Sequence, residues 1–294
     1  MNDVPALYFE RIASLVVRGE ILSSGSGLSG LPGYVISEFY KKMCRHEMIL
    51  NNGQLTTEGY VNCEDQLVGL DSKTPSRKHL RYTVIAIRAN RDEYNTDPEA
   101  MDRVLSATKG KHVILTLRTS NISEEIAKCV DSIRLVFELH VKTKITSKVL
   151  KMVRSLVKKN TLNMLLIDQG VEIKDETAQL LVDLLKQKQF HRMYFPGKCS
   201  AALKTIIASW RENSEEMAGK MIYYSGEFSE LQLSLTEFPF EECAEEEERD
   251  AKRAYPFESG WPRFTAKLVL SNQDGRAVHS LLRSSDFKTV FVFA

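Results

Sequence analysis

The sequence predicts an α/β protein in which strand-plus-helix units build a largely parallel, curved sheet with helices on one side. Short runs rich in β-branched and apolar residues alternate with amphipathic helical segments from about Leu80 to Gly226. This alternation is typical of parallel sheets. The last three strand candidates also begin at a constant spacing. Before the sheet, two helical patterns predict a small N-terminal module.

The N-terminal helical module, residues 1–50, is predicted from two amphipathic patterns. In the first, Leu7, Ile12 and Leu15 recur at near-helical spacing among polar residues. The second runs from Tyr34 to Met48 and keeps its apolar residues on one side. The polar and irregular residues 51–79 that follow are expected to be a connecting region.

A loop rich in glycine and serine, Ser23 to Gly33, separates the two helical patterns. Within it, Gly25, Gly27 and Gly30 match G-x-G-x-x-G, the pattern that brings a backbone turn close to a dinucleotide pyrophosphate. That function needs a strand before the glycines and a helix directly after them. No strand pattern precedes them, and Leu31-Pro32-Gly33 interrupts the expected helix, so we interpret the segment as a loop.

The βα repeat domain, residues 80–226, opens with a clear strand at Leu80 to Arg88. Asp97-Pro98 then begins a helix, because proline is well tolerated in a first turn. A second strand is predicted at Val113 to Leu117, followed by a short helix capped by Ser123. Ile133 to Val141 is the third strand.

Three amphipathic helices follow, each with apolar residues at i, i+3, i+4 and i+7. They are predicted at Ile145 to Lys158, Asp175 to Lys188 and Ser200 to Trp210.

The strands between these helices share an apolar pattern at positions one, four and six. The matching triplets are Leu162, Leu165 and Ile167; Phe190, Met193 and Phe195; and Ala218, Met221 and Tyr223, each starting 28 residues after the last. This pattern resembles a leucine-rich repeat. The position that usually carries Asn holds Gly170 or Lys198 here, and the earlier units are shorter. We therefore expect an irregular leucine-rich-repeat-like solenoid.

The C-terminal segment, residues 227–294, loses the helical pattern. Strands are predicted at Leu231 to Leu235, Phe264 to Leu270 and Thr289 to Phe293. The acidic run from Glu241 to Asp250 is expected to be a solvated loop or a short exposed helix, with attraction of a basic partner as its functional alternative.

Composition argues against several classes of function. The net charge of +1 removes the electrostatic argument for nucleic acid or an anionic membrane as a partner. Five cysteines without a CxxC pair, and six histidines without ligand spacing, predict neither a disulfide framework nor a metal site. We expect no catalytic residue and no cofactor. With no signal peptide or membrane-spanning run, we expect an intracellular protein of the cytoplasm or nucleus.

Four aromatic residues, Tyr194, Phe195, Tyr223 and Tyr224, cluster at predicted strand positions. Alternate members of the cluster could line a concave face and bind a partner, because aromatic rings give contact area at low entropic cost. Burial in the core is the alternative.

Two segments resemble a nematode-expanded group of F-box and F-box-associated (FTH-like) proteins. Val4-Pro5 followed by Phe9, Ile12 and Leu15 is similar to an F-box opening. The run from Ile206 to Asn213 (IIASWREN), with Gly219-Lys220, resembles the tryptophan-containing segment of the associated domain.

The resemblance implies a substrate receptor of a cullin-RING ubiquitin ligase, whose N-terminal helices dock on the adaptor subunit while the repeats hold a target protein. By this resemblance the adaptor-binding positions are Val4, Pro5, Leu7, Ile12 and Leu15. An ordinary amphipathic first helix is the alternative for them.

The sequence thus favours a non-enzymatic protein–protein interaction module, with a ubiquitin-ligase receptor as its more specific form. A free-standing repeat scaffold without the ligase link is the second hypothesis. The third is a nucleotide-dependent enzyme that uses the loop of Gly25, Gly27 and Gly30.

Overall fold

The computed structural model describes thirteen stretches of the chain. They are residues 6, 8–9, 27–68, 79–89, 96–168, 171, 173–195, 199–225, 235–238, 240–242, 264–271, 276–283 and 289–293. The chain divides into two compact units, residues 1–115 and 116–294. Both combine helices with a mixed sheet, as the sequence predicts for an α/β protein.

Two helices and a four-stranded sheet have defined bounds in the described residues of the first unit. The helices are α1 (Gly30–Lys42) and α2 (Pro98–Thr108); the strands are β1 (Cys44–Asn51), β2 (Gln54–Asn62), β3 (Leu67–Val68) and β4 (Leu80–Arg88). Their order is β4-β1-β2-β3, with β1 and β4 parallel and the other pairs antiparallel. Helix α2 begins where proline predicted it, and the Asp97 side chain accepts a hydrogen bond from the Glu99 backbone N–H.

A β-hairpin replaces part of the predicted N-terminal helix and connecting region. The helix expected to reach Met48 ends at Lys42, and strands β1 and β2 follow it. Buried and half-buried residues alternate along β1, which is the two-residue period of a strand. Asn52 (φ 53°) and Gly53 (φ 85°) form the turn, and positive φ at both positions is the geometry that Asn-Gly favours in hairpins.

Helix α1 also begins earlier than predicted. Leu31-Pro32-Gly33, which we expected to interrupt a helix, lies inside α1, which begins at Gly30. Pro32 fits because the backbone N–H of a first-turn residue has no acceptor within the helix, so a proline there removes no helical hydrogen bond. Glycine is needed at Gly33, since a Cβ atom there would lie 1.7 Å from the carbonyl oxygen of Leu28. Gly25 lies outside the described residues.

Strand β5 (His112–Leu117) carries the chain from the first unit into the second. The later strands are β6 (Val136–Val141), β7 (Met164–Ile167), β8 (Arg192–Phe195), β9 (Met221–Tyr224), β10 (Glu241–Glu242), β11 (Phe264–Ser271), β12 (Ala277–Arg283) and β13 (Thr289–Phe293). The helices are α3 (Glu124–Ser132), α4 (Ser147–Lys158), α5 (Asp175–Leu185), α6 (Ser200–Glu212) and α7 (Ser214–Met217).

The second unit orders its strands β6-β7-β8-β9-β13-β12-β11-β10. The first four are parallel, which confirms that the strands predicted after Leu162 are adjacent and parallel. Strands β10 to β13 add antiparallel neighbours. Because crossovers between parallel strands are right-handed in nearly all proteins, α4, α5 and α6 belong on one face of β6 to β9. Successive helices contact one another from α3 to α6.

The constant repeat of 28 residues holds for one step only. The register aligns Leu139, Leu165, Met193 and Ile222 on successive strands, so the steps are 26, 28 and 29 residues. The predicted row was wrong at its last member, because Met221 is one residue out of phase. Helix α7 and Gly219, with φ of +75°, occupy the longer connection.

The C-termini of α3 and α4, and the loop that follows α5, each receive a hydrogen bond from the next strand–helix unit. The donors and acceptors are Lys159 Nζ to the Ile133 carbonyl (3.2 Å), Gln187 Nε2 to the Val157 carbonyl (2.8 Å) and Lys220 Nζ to the Phe190 carbonyl (2.6 Å). The last carbonyls of a helix have no partner within the helix. Lys159 and Gln187 therefore satisfy carbonyls of this kind, and Lys220 satisfies a carbonyl in the loop after α5. All three side chains link neighbouring strand–helix units.

The C-terminal strands match the predictions in part. Strands β11 and β13 form where the alternating patterns placed them, while β12 was not predicted. Leu235 begins a turn, and residues 231–234 of the strand predicted there lie outside the described residues. So does most of the acidic run, of which Glu241 and Glu242 form β10. In the described part of the chain, no helix has the length and apolar character that a membrane crossing requires.

Candidate functional site

The four parallel strands β6 to β9 present two different faces. On the helix-covered face no residue is more than 4% exposed: Leu139, Val141, Leu165, Ile167, Met193, Phe195, Ile222 and Tyr224. The alternate residues form what we call the accessible face: Glu138, His140, Met164, Leu166, Arg192, Tyr194, Met221 and Tyr223. Six of these eight are half-buried, and only Glu138 and Tyr223 are buried. One face is therefore core and the other reaches solvent.

The accessible face consists of two rows that run across the strands. The register places Glu138, Met164, Arg192 and Met221 in the first row, and His140, Leu166, Tyr194 and Tyr223 in the second. Neighbouring members of a row lie on strands about 4.8 Å apart. The side chains of a row are therefore close enough to act as one surface.

Two stacked tyrosines form the most ordered part of the second row. The rings of Tyr194 and Tyr223 are 4.3 Å apart between centroids, with an interplanar angle of 8°. The Tyr223 hydroxyl lies 3.8 Å from the Met221 sulfur. Stacking restricts both rings, so this part of the surface loses little side-chain entropy when another molecule binds.

The charged groups of the accessible face flank a methionine. Glu138 lies on β6 and Arg192 on β8, with Met164 between them on β7. The Glu138 carboxylate is also 3.5 Å from His140 Nε2, and their side chains are 11% and 23% exposed. The surface thus combines apolar contact area with one acidic and one basic group two strands apart.

The structure separates the four aromatic residues that the sequence grouped. Tyr194 and Tyr223 lie on the accessible face, while Phe195 and Tyr224 are 2% and 1% exposed and belong to the core. Strand alternation is the reason, because successive side chains point to opposite faces. The predicted adaptor-binding residues lie outside the described part of the chain: Val4, Pro5, Leu7, Ile12 and Leu15.

Sequence reasoning missed most of the accessible face. The sequence predictions did not include Glu138, His140, Met164, Leu166 and Arg192, because the first two triplets of the repeat pattern fall only on buried positions. The signal was nevertheless present in the two triplets that are in phase, where the residue between positions four and six, Leu166 or Tyr194, points away from the helices.

No protein-family model, curated protein or solved structure matches the chain.

A second cluster of ionisable groups lies in the first unit. His46 Nε2 is 3.1 Å from one Glu58 oxygen, Arg103 binds the other oxygen, and the His46 ring stacks on Tyr60 at 4.8 Å. Desolvation by burial lowers the pKa of His46, against the opposing effect of Glu58. Because the His46 side chain is only 6% exposed, this cluster is suited to holding β1, β2 and α2 together.

Proposed function

We propose that the chain is a non-enzymatic protein-interaction module and that it binds its partner on the accessible face of β6 to β9. The observation that carries the proposal is the contrast between the two faces of these strands. The side chains on one face are almost completely buried under the helices. The alternate residues of the same strands, on the other face, keep apolar and aromatic groups within reach of solvent. Binding a partner would bury the remaining surface.

The chemistry of the accessible face suits a protein better than a polyanion. Tyrosine, methionine and arginine are enriched at the centres of protein–protein interfaces, and this face contains Tyr194, Tyr223, Met164, Met221 and Arg192. Nucleic acid is bound mainly through several Lys or Arg contacts to phosphate. Here the single arginine is offset by Glu138, so the face lacks that electrostatic character.

We propose further that β6 to β9 with their helices form a leucine-rich-repeat-like solenoid. The sequential order of parallel strands and the hydrogen bonds that link neighbouring strand–helix units support it. In solenoids each unit packs mainly on its neighbours and leaves the strand face for binding. The accessible face would then be the binding surface of the solenoid.

A ubiquitin-ligase receptor is the more specific form of this proposal. It depends on Val4, Pro5, Leu7, Ile12 and Leu15, and on an adaptor subunit as partner. Co-purification of the full-length chain with the adaptor tests it, and we expect the complex to disappear when residues 1–50 are deleted. A complex that survives the deletion, or the absence of a complex with the full-length chain, would contradict the ligase-receptor hypothesis. The hypothesis of a free-standing repeat scaffold would then remain.

The accessible face is tested by photo-cross-linking from single positions. A photoreactive phenylalanine analogue replaces Leu166 on β7, and the matched control replaces Glu212, which is exposed on α6. We expect discrete adducts with protein from Leu166 only, and their loss when Tyr194→Ser and Arg192→Ala are added. Equal adducts from both positions, or none from Leu166, would contradict binding at this face.

A further inference from the structure

We propose that helix α4 carries a second interaction surface, which binds an acidic peptide segment of a partner protein. This surface is the basic stripe, formed by Lys148, Lys151 and Lys158. The three lysines share one side of the helix, because residues three, four and seven apart on an α-helix are neighbours. The stripe lies on the helix-covered side of the sheet, so the proposal goes beyond the accessible face and does not depend on it.

The solvent-exposed side of α4 is basic along its whole length. Five residues of the helix are exposed: Ser147, Lys148, Lys151, Arg154 and Lys158. Four of the five carry a positive charge, and the helix contains no acidic residue. Two more exposed lysines, Lys142 and Lys144, precede it.

The lysines of the basic stripe have no partner within the described part of the chain. Their ammonium groups make neither a hydrogen bond nor an ion pair there. Neighbouring basic residues differ in this respect. Arg154 lies 3.8 Å from Glu176, and Lys159 donates to the Ile133 carbonyl. The stripe is therefore available to a ligand, whereas the charges beside it serve the fold.

The charges of the basic stripe work against the stability of α4 itself. Lys148 lies in the first turn, which has no acidic residue, although the N-terminus of a helix favours negative charge. Lys148 and Lys151 are like charges three residues apart, and like-charge neighbours of this kind weaken a helix. A pattern that opposes its own helix and has no partner inside the chain points to a partner outside it.

Helix α4 packs between α3 and α5. On one side, the Ser155 hydroxyl donates a hydrogen bond to the Asp131 carboxylate of α3. On the other, Arg154 faces Glu176 of α5. Packed helices lie about 8–10 Å apart, so a ligand wider than one helix would meet the exposed residues of all three.

The exposed residues of the two neighbouring helices are mainly acidic. Helix α3 exposes three acidic residues against one lysine, and α5 contains no basic residue. The exposed acidic residues are Glu124, Glu125, Asp131, Glu176 and Asp183. An anionic membrane or a nucleic acid duplex would be repelled by these carboxylates. A single peptide that follows α4 meets only the lysines.

The length of the basic stripe sets the length of its ligand. Lys148 and Lys158 are about 15 Å apart along the helix axis, at 1.5 Å per residue. An extended chain covers that distance in about five residues. Because exposed ion pairs are individually weak and are screened by salt, we expect a weak complex that requires several lysines and several carboxylates.

Fluorescence anisotropy with a labelled peptide of eight glutamates and the full-length chain measures the dissociation constant. The triple variant Lys148→Gln, Lys151→Gln and Lys158→Gln should raise it about tenfold or more, because three ion pairs are lost. The triple variant with arginine at the same positions keeps the charges and should bind within about twofold of the unmodified chain. Unchanged binding by the glutamine variant, folded by circular dichroism, would overturn the proposal.

The matched control removes the same charge elsewhere. It carries glutamine at three exposed lysines outside the basic stripe: Lys42→Gln, Lys109→Gln and Lys188→Gln. Both triple variants lower the net charge by the same amount, so a specific site predicts that only the stripe variant loses binding. Equal losses in the two variants would show that only net charge matters, and would overturn the proposed site.

Salt gives a test on the unmodified chain. Raising the ionic strength from about 0.05 M to about 0.3 M should weaken peptide binding severalfold, because screening acts on exposed charges. Binding that does not respond to salt would contradict an electrostatic stripe.

Two other probes separate an acidic peptide from wider polyanions. They are a duplex oligonucleotide and vesicles that contain phosphatidylserine, each titrated with the same chain. We expect both to bind more weakly than the peptide, because the acidic residues of α3 and α5 repel them. Binding of either probe as tight as that of the peptide, or no binding of the peptide, would overturn the proposal. Cross-linking from Leu166 reports on the accessible face alone, so the two proposals fail separately.

Discussion

The ammonium group of Lys220 donates a hydrogen bond of 2.6 Å to the carbonyl oxygen of Phe190 and another of 2.8 Å to that of Gln187. Lys220 is only 3% exposed, and this burial lowers its pKa because it disfavours the charged ammonium group. Its carbonyl partners explain how a lysine is retained there, because a buried polar group is tolerated when it is hydrogen-bonded.

Replacement of Lys220 by methionine should therefore destabilise the protein. The carbonyls of Phe190 and Gln187 would lose their donor, which costs about 1–3 kcal/mol per unsatisfied buried group. Urea denaturation followed by circular dichroism measures the loss in free energy of unfolding. Lys148→Met, at an exposed position of α4, is the control. Equal stability of the two variants would show that the hydrogen bonds of Lys220 contribute nothing.

The two faces of β8 predict losses of stability of different size at neighbouring positions. Phe195→Ala removes a ring that is 2% exposed and should lower the free energy of unfolding by about 3–5 kcal/mol. Tyr194→Ala removes a half-buried ring and its stack on Tyr223, with an expected loss of about 1–2 kcal/mol. A larger loss for Tyr194 than for Phe195 in denaturant titrations would reverse the assignment of the faces.

The hairpin turn of the first unit predicts a strong requirement for glycine. Gly53 has a φ of +85°, and a Cβ atom there would lie 2.8 Å from the Thr96 Cα atom. Gly110 also has a positive φ, +67°, but a Cβ atom added there would have no other atom within 4 Å. Gly110→Ala should cost roughly 1–2 kcal/mol for its backbone conformation alone, and Gly53→Ala clearly more. Thermal unfolding measures the loss of stability in both variants. Equal losses would show that the contact of the added Cβ atom with Thr96 has no effect.

The buried His46 predicts that acid weakens the first unit. Because desolvation lowers its pKa in the folded state, the unfolded chain takes up a proton first when the pH falls below the ordinary value of about 6.5. The contribution of His46 is then full above that pH and is lost as the pH falls toward its folded pKa. Melting temperatures from pH 8 to 5.5 should fall less steeply for His46→Gln than for the unmodified chain.

Sequence reasoning succeeded where the local pattern was strong and unambiguous. Strand β4 has the limits expected from its run of β-branched residues, and Ser123 caps α3 by accepting a hydrogen bond from the Ile126 backbone N–H. These features depend on a few neighbouring residues. Long-range contacts have little influence on them.

It failed where tertiary packing decided the outcome. The buried side of β1 includes Cys44 and His46. Because histidine is polar, the sequence does not show the alternation of apolar and polar residues that predicts a strand. The burial of His46 depends on Glu58 and Tyr60 of the next strand. Similarly, Tyr194 and Phe195 are both aromatic, and only the register of the sheet separates a surface residue from a core residue.

Strand β9 gains its second neighbour from far along the chain. Met221 to Tyr224 pair with β8 on one side and with β13 on the other, where Tyr224 meets Thr289, 65 residues later. On a ribosome, β6 to β9 and their helices are made before β13 exists. The edge of β9 therefore lacks its β13 partner during that stretch of translation, and it is a place at which a nascent chain is open to a chaperone or to misassembly.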